Sequence, residues 1–440
     1  MARTPPRTTA GYAIGSVGTG GFGTLPGLVL SYYLTDTLGV AAGMASLVVT
    51  VPKIWDVLID PFIGRLSDGD RRRTGHRARI MLIGAVTLPL CVIALFAAPD
   101  SVRGMAAGLW VAVAYVACTT AFSLFQVPYL ALPAELSDTY EGRTRLVAPR
   151  IAVLTLAILA FGAGGPMVRD AMGGGRAGYL GMAVVTGLLM GVGMVASALL
   201  TRTPVTEQSD LPATDAAAGA TFSAAMAALR ESSPLRALLG TFLLQALATG
   251  AMLAAAQYVA TYLLRNEGAV TFLFIALVAP AMLVMPLARR LADRIGKRRA
   301  YVAATVLFAV AAAALLPAAQ LGAATYAVVA VCGVAYAGMQ LYPLAMLPDV
   351  MAHDEPGRAG VTAGVWTAGE TTGMALGPTV ALLVLAVTGF VSSDGGTRAS
   401  QPPSALWGVA AIFSVLPAAL ALLSLVPLSR YRLGRAEVDA

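Results

Sequence analysis

Residues 65–79 read RLSDGDRRRTGHRAR and residues 290–300 read RLADRIGKRRA. Both are basic loops that open on Arg-Leu, a small residue and Asp, and each follows a long apolar run. The two tetrapeptides lie 225 residues apart (290 − 65). A second pair repeats without a gap at an offset of 215 (347 − 132): Leu132-Pro133 leads to Gly142-Arg143, and Leu347-Pro348 leads to Gly357-Arg358. Two matches at similar offsets, at equivalent places in the order of apolar runs, predict two parallel copies of one unit, an architecture of secondary transporters.

The surrounding composition gives those units their solvent. Of 440 residues, 58% are hydrophobic and 12% charged, about half the charge of a soluble domain. A bilayer core of about 30 Å takes about 20 apolar residues as helix. Twelve such segments are predicted, over 11–34, 41–64, 80–98, 105–133, 150–168, 178–200, 236–264, 268–288, 300–318, 323–346, 359–390 and 406–428. The expected fold is an all-α, multi-pass membrane protein of twelve transmembrane helices in two six-helix bundles, 1–200 and 236–440. The polar stretch 201–235 forms a cytoplasmic central loop between them, whose AAMAALRESSPL end has the option of a short interfacial helix. MARTPPRTTA lacks the apolar core of a signal peptide, so the first helix is expected to stay in the mature protein.

The net charge of +7 encodes orientation rather than a nucleic-acid partner. With an even helix count, the arginines and lysines of 65–79, 143–150, 202–236, 289–299, Arg358 and the tail share one side. The other side holds only Arg103, Arg169, Arg176, Arg265 and Arg398. Basic residues stay cytoplasmic, which places both termini inside the cell membrane. Two readings of the basic loops stand side by side. They set topology and touch membrane lipid headgroups, or Asp68 with Arg72 and Arg73, and Asp293 with Arg294 and Arg298, form a breakable latch between the halves.

Cys91, Cys118 and Cys332 all fall in apolar runs without metal spacing, and His76 and His353 fall in loops. No cofactor or metal motif and no catalytic constellation is visible, so an enzyme is not expected. A sensor would need an output domain that a 35-residue loop (201–235) and a short tail do not supply.

One apolar run carries charge. In VPKIWDVLIDPFIG, residues 51–64, Lys53, Asp56 and Asp60 fall within a wedge of about 60° on one helix face. Each charge costs about 2.5 to 3.5 kcal/mol at a helix centre, less toward the ends. Lys53 neutralising Asp56, with Asp60 near water, is the structural explanation. The repeat weighs against it, since the equivalent positions at an offset of 225 are Val278, Ala281 and Met285, whereas Pro61 is matched by Pro286. Two carboxylates facing a cavity can bind a cation or exchange a proton.

Several stretches resemble the glycoside-pentoside-hexuronide:cation symporters, the melibiose-permease-like branch of the major facilitator superfamily. They are YAIGSVGTGGFGTLPGLVLSYYLTD, WDVLIDPFIG, RRRTGHRAR, FQVPYLALPAEL, APRIAVL, LPDVMAHDEPGRAG and GMALGP. The resemblance implies two six-helix bundles that import sugars with sodium, lithium or a proton. It implies Asp56 and Asp60 as cation ligands, Lys53 in place of a basic residue, Ser123 as a hydroxyl ligand, and Arg150 as the arginine opening helix five. This chain also departs from the family. Gly20 and Gln126 stand where sugar-binding members carry aspartates, Ile59 where the sodium site has an asparagine, and Thr372 where a helix-eleven lysine is common.

The missing acids weaken the case for a sugar, because buried hydroxyls need hydrogen-bond partners. Ile59 weakens a sodium site, which needs several oxygens, more than a proton site. Glu370, in GVWTAGETTGMALG, is the other acid deep in an apolar run, with no basic residue within a turn. It is either hydrogen-bonded to a neighbouring helix or a protonatable, substrate-facing group. Gln126, Gln245, Gln257 and Gln340 have the same two options, cavity contact or interhelical hydrogen bond. The glycines of helix one, Gly15 to Gly23, read as packing residues. The expected function is cation- or proton-coupled symport of a small organic solute by alternating access. The alternative is proton-coupled export of an amphipathic metabolite or lipid-like compound.

Overall fold

In the computed structural model the described residues are 6–136, 140–202, 226–227, 229–353, 359–393, 399–431 and 433. They form long helices, with no strand among them. The chain divides into two compact units. The first, Met1–Ala213 with Ser392–Ser400, holds α1 (Pro6–Thr37), α2 (Ala42–Thr74), α3 (Ala78–Phe96), α4 (Gly104–Leu136), α5 (Tyr140–Ala171) and α6 (Gly175–Leu200). The second, Thr214–Val391 with Gln401–Ala440, holds α7 (Ser233–Leu263), α8 (Ala269–Ile295), α9 (Lys297–Ala314), α10 (Ala324–His353), α11 (Ala359–Val387) and α12 (Pro403–Ser429). Most of the central stretch, Arg358 and Arg398 lie outside the described residues.

Eleven of these helices are long and apolar enough to cross a bilayer. The remaining one, α9, has 18 residues and opens on Lys297, Arg298 and Arg299, so charge shortens its apolar run. Hydropathy locates each helix but not its ends. Helix α5 begins at Tyr140, ten residues before the expected start at 150, and α10 runs on to His353 beyond 346. Polar turns continue a helix past the length that lipid requires.

Within each unit the helices pack in the same pattern. Helix α1 lies against α5 and α6, α2 against α4, and α3 against α4 and α6. Likewise α7 lies against α11 and α12, α8 against α10, and α9 against α10 and α12. Finer details repeat too. Both α2 and α8 are followed by a glycine in the left-handed region, Gly75 (φ 77°) and Gly296 (φ 87°), whose N–H groups cap Arg71 O and Ala292 O. Both α1 and α7 end in a π-helical turn, Tyr33–Thr37 and Val259–Leu263, related by an offset of 226 (259 − 33). A Cβ added at Gly20 would stand 2.9 Å from Ala157 Cβ, and one at Gly373 would stand 2.7 Å from Ala246 Cβ. Offsets of 226 (246 − 20) and 216 (373 − 157) relate these pairs, so one close helix contact is made twice, with the glycine on opposite partners.

The segment Ser392–Ser400, which the sequence placed with the second half, groups with the first unit. There Ser392 Oγ donates to Val40 O (2.7 Å) and the Ser393 N–H donates to Thr35 O (2.9 Å).

Candidate functional site

The charged wedge of α2 is built against α4. Asp56 is half-buried, and its Oδ1 accepts a 2.9 Å hydrogen bond from the buried Ser123 Oγ. The next residue reinforces the link: Trp55 Nε1 donates to Thr120 Oγ1 at 2.9 Å. Asp60, one turn beyond Asp56, lies within electrostatic reach of Ser123, Asp56 and Lys53. Its Oδ1 is buried and has no hydrogen-bond partner among the described residues. Lys53 Nζ stands 5.8 Å from the centre of the Tyr115 ring and within reach of both aspartates. The cluster therefore joins Lys53, Asp56 and Asp60 with Ser123 and Tyr115. Sequence reasoning missed Tyr115, which carries no charge and sits in an apolar run.

A second cluster occupies the same unit. The Arg150 guanidinium lies 5.3 Å from the Tyr129 ring centre and 5.9 Å from that of Tyr12. Tyr129 donates to Tyr12 O (2.6 Å) and shares a 2.9 Å hydrogen bond with Ser16 Oγ. Arg150 stands at the start of the membrane-crossing stretch of α5, Pro149–Ala171, although the helix itself begins earlier, at Tyr140. Its buried Nε has no hydrogen-bond partner among the described residues, and neither has Gln126 Oε1. Gln126 lies three residues from both Ser123 and Tyr129 on α4, between the two clusters in sequence.

Gly20 packs closely against a neighbouring helix. It is buried against α5, where the nearest atoms to an added Cβ are Ala157 Cβ, Leu154 O (3.1 Å) and Leu154 Cδ1 (3.3 Å). Helix α5 fills the space that an acidic side chain would need.

In the second unit, Gln340 Nε2 donates to Tyr336 Oη at 3.0 Å, and Tyr336 lies within electrostatic reach of Glu370. Thr372 does not join them. It sits about 200° further round α11, is exposed, and donates to Ala368 O of its own helix. Gln245 is an interhelical node: its amide donates to Thr305 Oγ1 and Ser424 Oγ (both 3.0 Å) and accepts from Tyr301 Oη (2.8 Å). Gln257 donates to Thr261 Oγ1 in the π turn.

In the basic loop of the first unit, Asp68 pairs with Arg77 (2.6 Å), which also donates to Ser67 Oγ. In the second unit Lys297 forms an ion pair with Asp349 (2.7 Å), Asp293 and Arg294 are exposed, and Arg298 donates to Ser429 O. The turn at Gly75 brings Arg77 back over the end of α2, on which Arg72 and Arg73 are exposed.

Known proteins are similar to this chain in sequence or in fold. A family model described as MFS/sugar transport protein matches residues 11–435. The uncharacterized symporter YnaJ of Bacillus subtilis (strain 168) is 24% identical over 416 residues, 92% of this chain and 87% of that protein. The putative glycoside/cation symporter YagG of Escherichia coli (strain K12) is 28% identical over 191 residues, 43% of this chain and 41% of its own. Sodium-dependent lysophosphatidylcholine symporter 1 of Mus musculus is 26% identical over 373 residues, 77% of this chain and 69% of its own. The crystal structure of the nucleoside transporter NupG matches with a TM-score of 0.67 at 12% identity, covering 98% of this chain and 100% of that one, a likeness of fold.

Proposed function

Because the chain belongs to the MFS/sugar transport protein family, we propose that it is a multi-pass carrier of the cell membrane that moves a small organic solute together with a cation. The observation that carries this function is the Asp56–Ser123 contact, with Asp60 and Lys53 on the same face of α2. An aspartate held by a hydroxyl, beside a second carboxyl oxygen without a partner, offers a binding position for a small cation. Lys53 supplies a fixed positive charge when that position is empty, which offsets the cost of two carboxylates in a membrane helix.

The coupling ion is a proton. Sodium requires several oxygen ligands, and Ile59 offers none, whereas a proton needs a single carboxylate. The solute meets the Arg150, Tyr12, Tyr129 and Gln126 group, and both termini face the cytoplasm. The chain performs no chemistry on its solute, in keeping with the transporters it resembles.

The lipid named for the mouse relative, itself named a sodium-dependent symporter, together with Gly20 and Gln126 in place of acids, is compatible with an amphipathic solute, and a second reading is proton-coupled export of such a compound. Thermal stabilisation of the purified protein, screened with glycosides, nucleosides and lysophospholipids at two pH values with and without sodium, separates the two. Stabilisation by a glycoside or nucleoside that strengthens with proton binding supports solute symport. Stabilisation by lysophospholipid alone, with efflux from inverted vesicles, supports export.

A further inference from the structure

We propose that Glu370, with Tyr336 and Gln340, is a second proton-binding site, located in the second unit and additional to the Asp56 cluster of the first. Glu370 is half-buried on α11, two residues inside that helix's apolar membrane-crossing stretch, Ala368–Val387. A half-buried carboxylate in such a stretch calls for a counter-charge. Asp56 and Asp60 have Lys53 within reach, but among the described residues no lysine or arginine acts on Glu370 in the same way. Helices α10, α11 and α12 contain no lysine or arginine at all. On α7, the residues that meet the neighbouring glycines of α11 are Leu239, Leu243 and Ala246. The one cation of α7, Arg236, lies a turn below Leu239, is exposed, and is held by the carbonyls of Leu229 and Arg230. Helix α12 has no titratable side chain. From α10, Tyr336 lies within electrostatic reach of Glu370.

The charge that balances Glu370 is therefore mobile. A lone carboxyl does not make a metal site, and no group of three His, Cys, Asp or Glu occurs among the described residues. A proton needs only the carboxyl and a hydrogen-bond partner. Tyr336 supplies the partner. Its oxygen accepts from Gln340 Nε2, which leaves its own O–H free to donate to the ionised carboxylate, while a remaining lone pair can accept from the protonated acid. The proton passes between the carboxyl and water reaching the half-buried side chain, and no bond other than O–H forms or breaks. The use made of this proton in transport rests on the carrier function proposed above, but the protonation itself does not.

Infrared difference spectra of the full chain in liposomes, taken between acidic and alkaline pH without solute, test the proposal. In the wild type, carboxyl bands convert to carboxylate bands as pH rises. E370Q should lose one component of that conversion, D56N a different one, and Y336F should shift the component that E370Q removes. An E370Q spectrum superimposable on the wild type overturns the proposal and leaves the Asp56 reading standing. Should E370Q not yield folded protein, Y336F decides alone: a spectrum unchanged from wild type overturns the proposal, and a shifted carboxyl component supports it.

Discussion

Ser123 Oγ donates a 2.9 Å hydrogen bond to Asp56 Oδ1, joining α4 to α2 through polar groups set in apolar runs. Together with the Trp55–Thr120 hydrogen bond, it fixes the carboxylate's orientation. In the function proposed above, a cation entering or leaving this position would change what Asp56 can share with Ser123, so ion occupancy would act directly on the α2–α4 contact.

Replacing Ser123 with Ala removes that donor. Hydrogen bonds to charged groups contribute about 1.5 to 3 kcal/mol, so Ser123→Ala should change the half-saturating concentration of the coupling ion about tenfold or more. Ser123→Thr should retain most of it. Uptake titrated against pH, and separately against sodium, measures the effect.

Gly20 makes a packing prediction. An added methyl would stand 2.9 Å from Ala157 Cβ, and overpacking of this kind costs about 1 to 3 kcal/mol. Gly20→Ala should lower the thermal midpoint, and Ala157→Gly in the same chain should restore much of it. The coupling energy of the double-mutant cycle reports the contact. For the same reason Gly20→Asp should not create a sugar site.

The Gln245 node is structural. Gln245→Leu leaves the fully buried Tyr301 hydroxyl without its acceptor, at a cost of about 1 to 3 kcal/mol. The variant should melt earlier in detergent while its uptake keeps the wild-type dependence on pH and sodium.

The repeated basic loops and the twelve apolar runs made the fold legible, because lipid imposes a minimum helix length and charge cannot cross cheaply. Helix ends were less so: Tyr140 and His353 lie in polar turns that hydropathy does not mark. The wedge of Lys53, Asp56 and Asp60 was visible because charge in an apolar run stands out. Tyr115 was not, being an aromatic residue in an apolar helix, and neither was Arg77 as the partner of Asp68, which depends on the turn at Gly75. A single sequence likewise left Gln245 undecided, since an amide in a helix reads the same whether it faces a cavity or, as here, Tyr301, Thr305 and Ser424.

The most direct measurement of the central claim is solute accumulation in proteoliposomes carrying Asp56→Asn, driven by an imposed pH gradient or an imposed sodium gradient. The solute is taken from the stabilisation screen, and solute counterflow is measured in the same vesicles. The prediction is loss of gradient-driven accumulation with counterflow retained, because the variant still exchanges solute but no longer couples it to the ion. Accumulation equal to wild type under the same gradient would contradict the account.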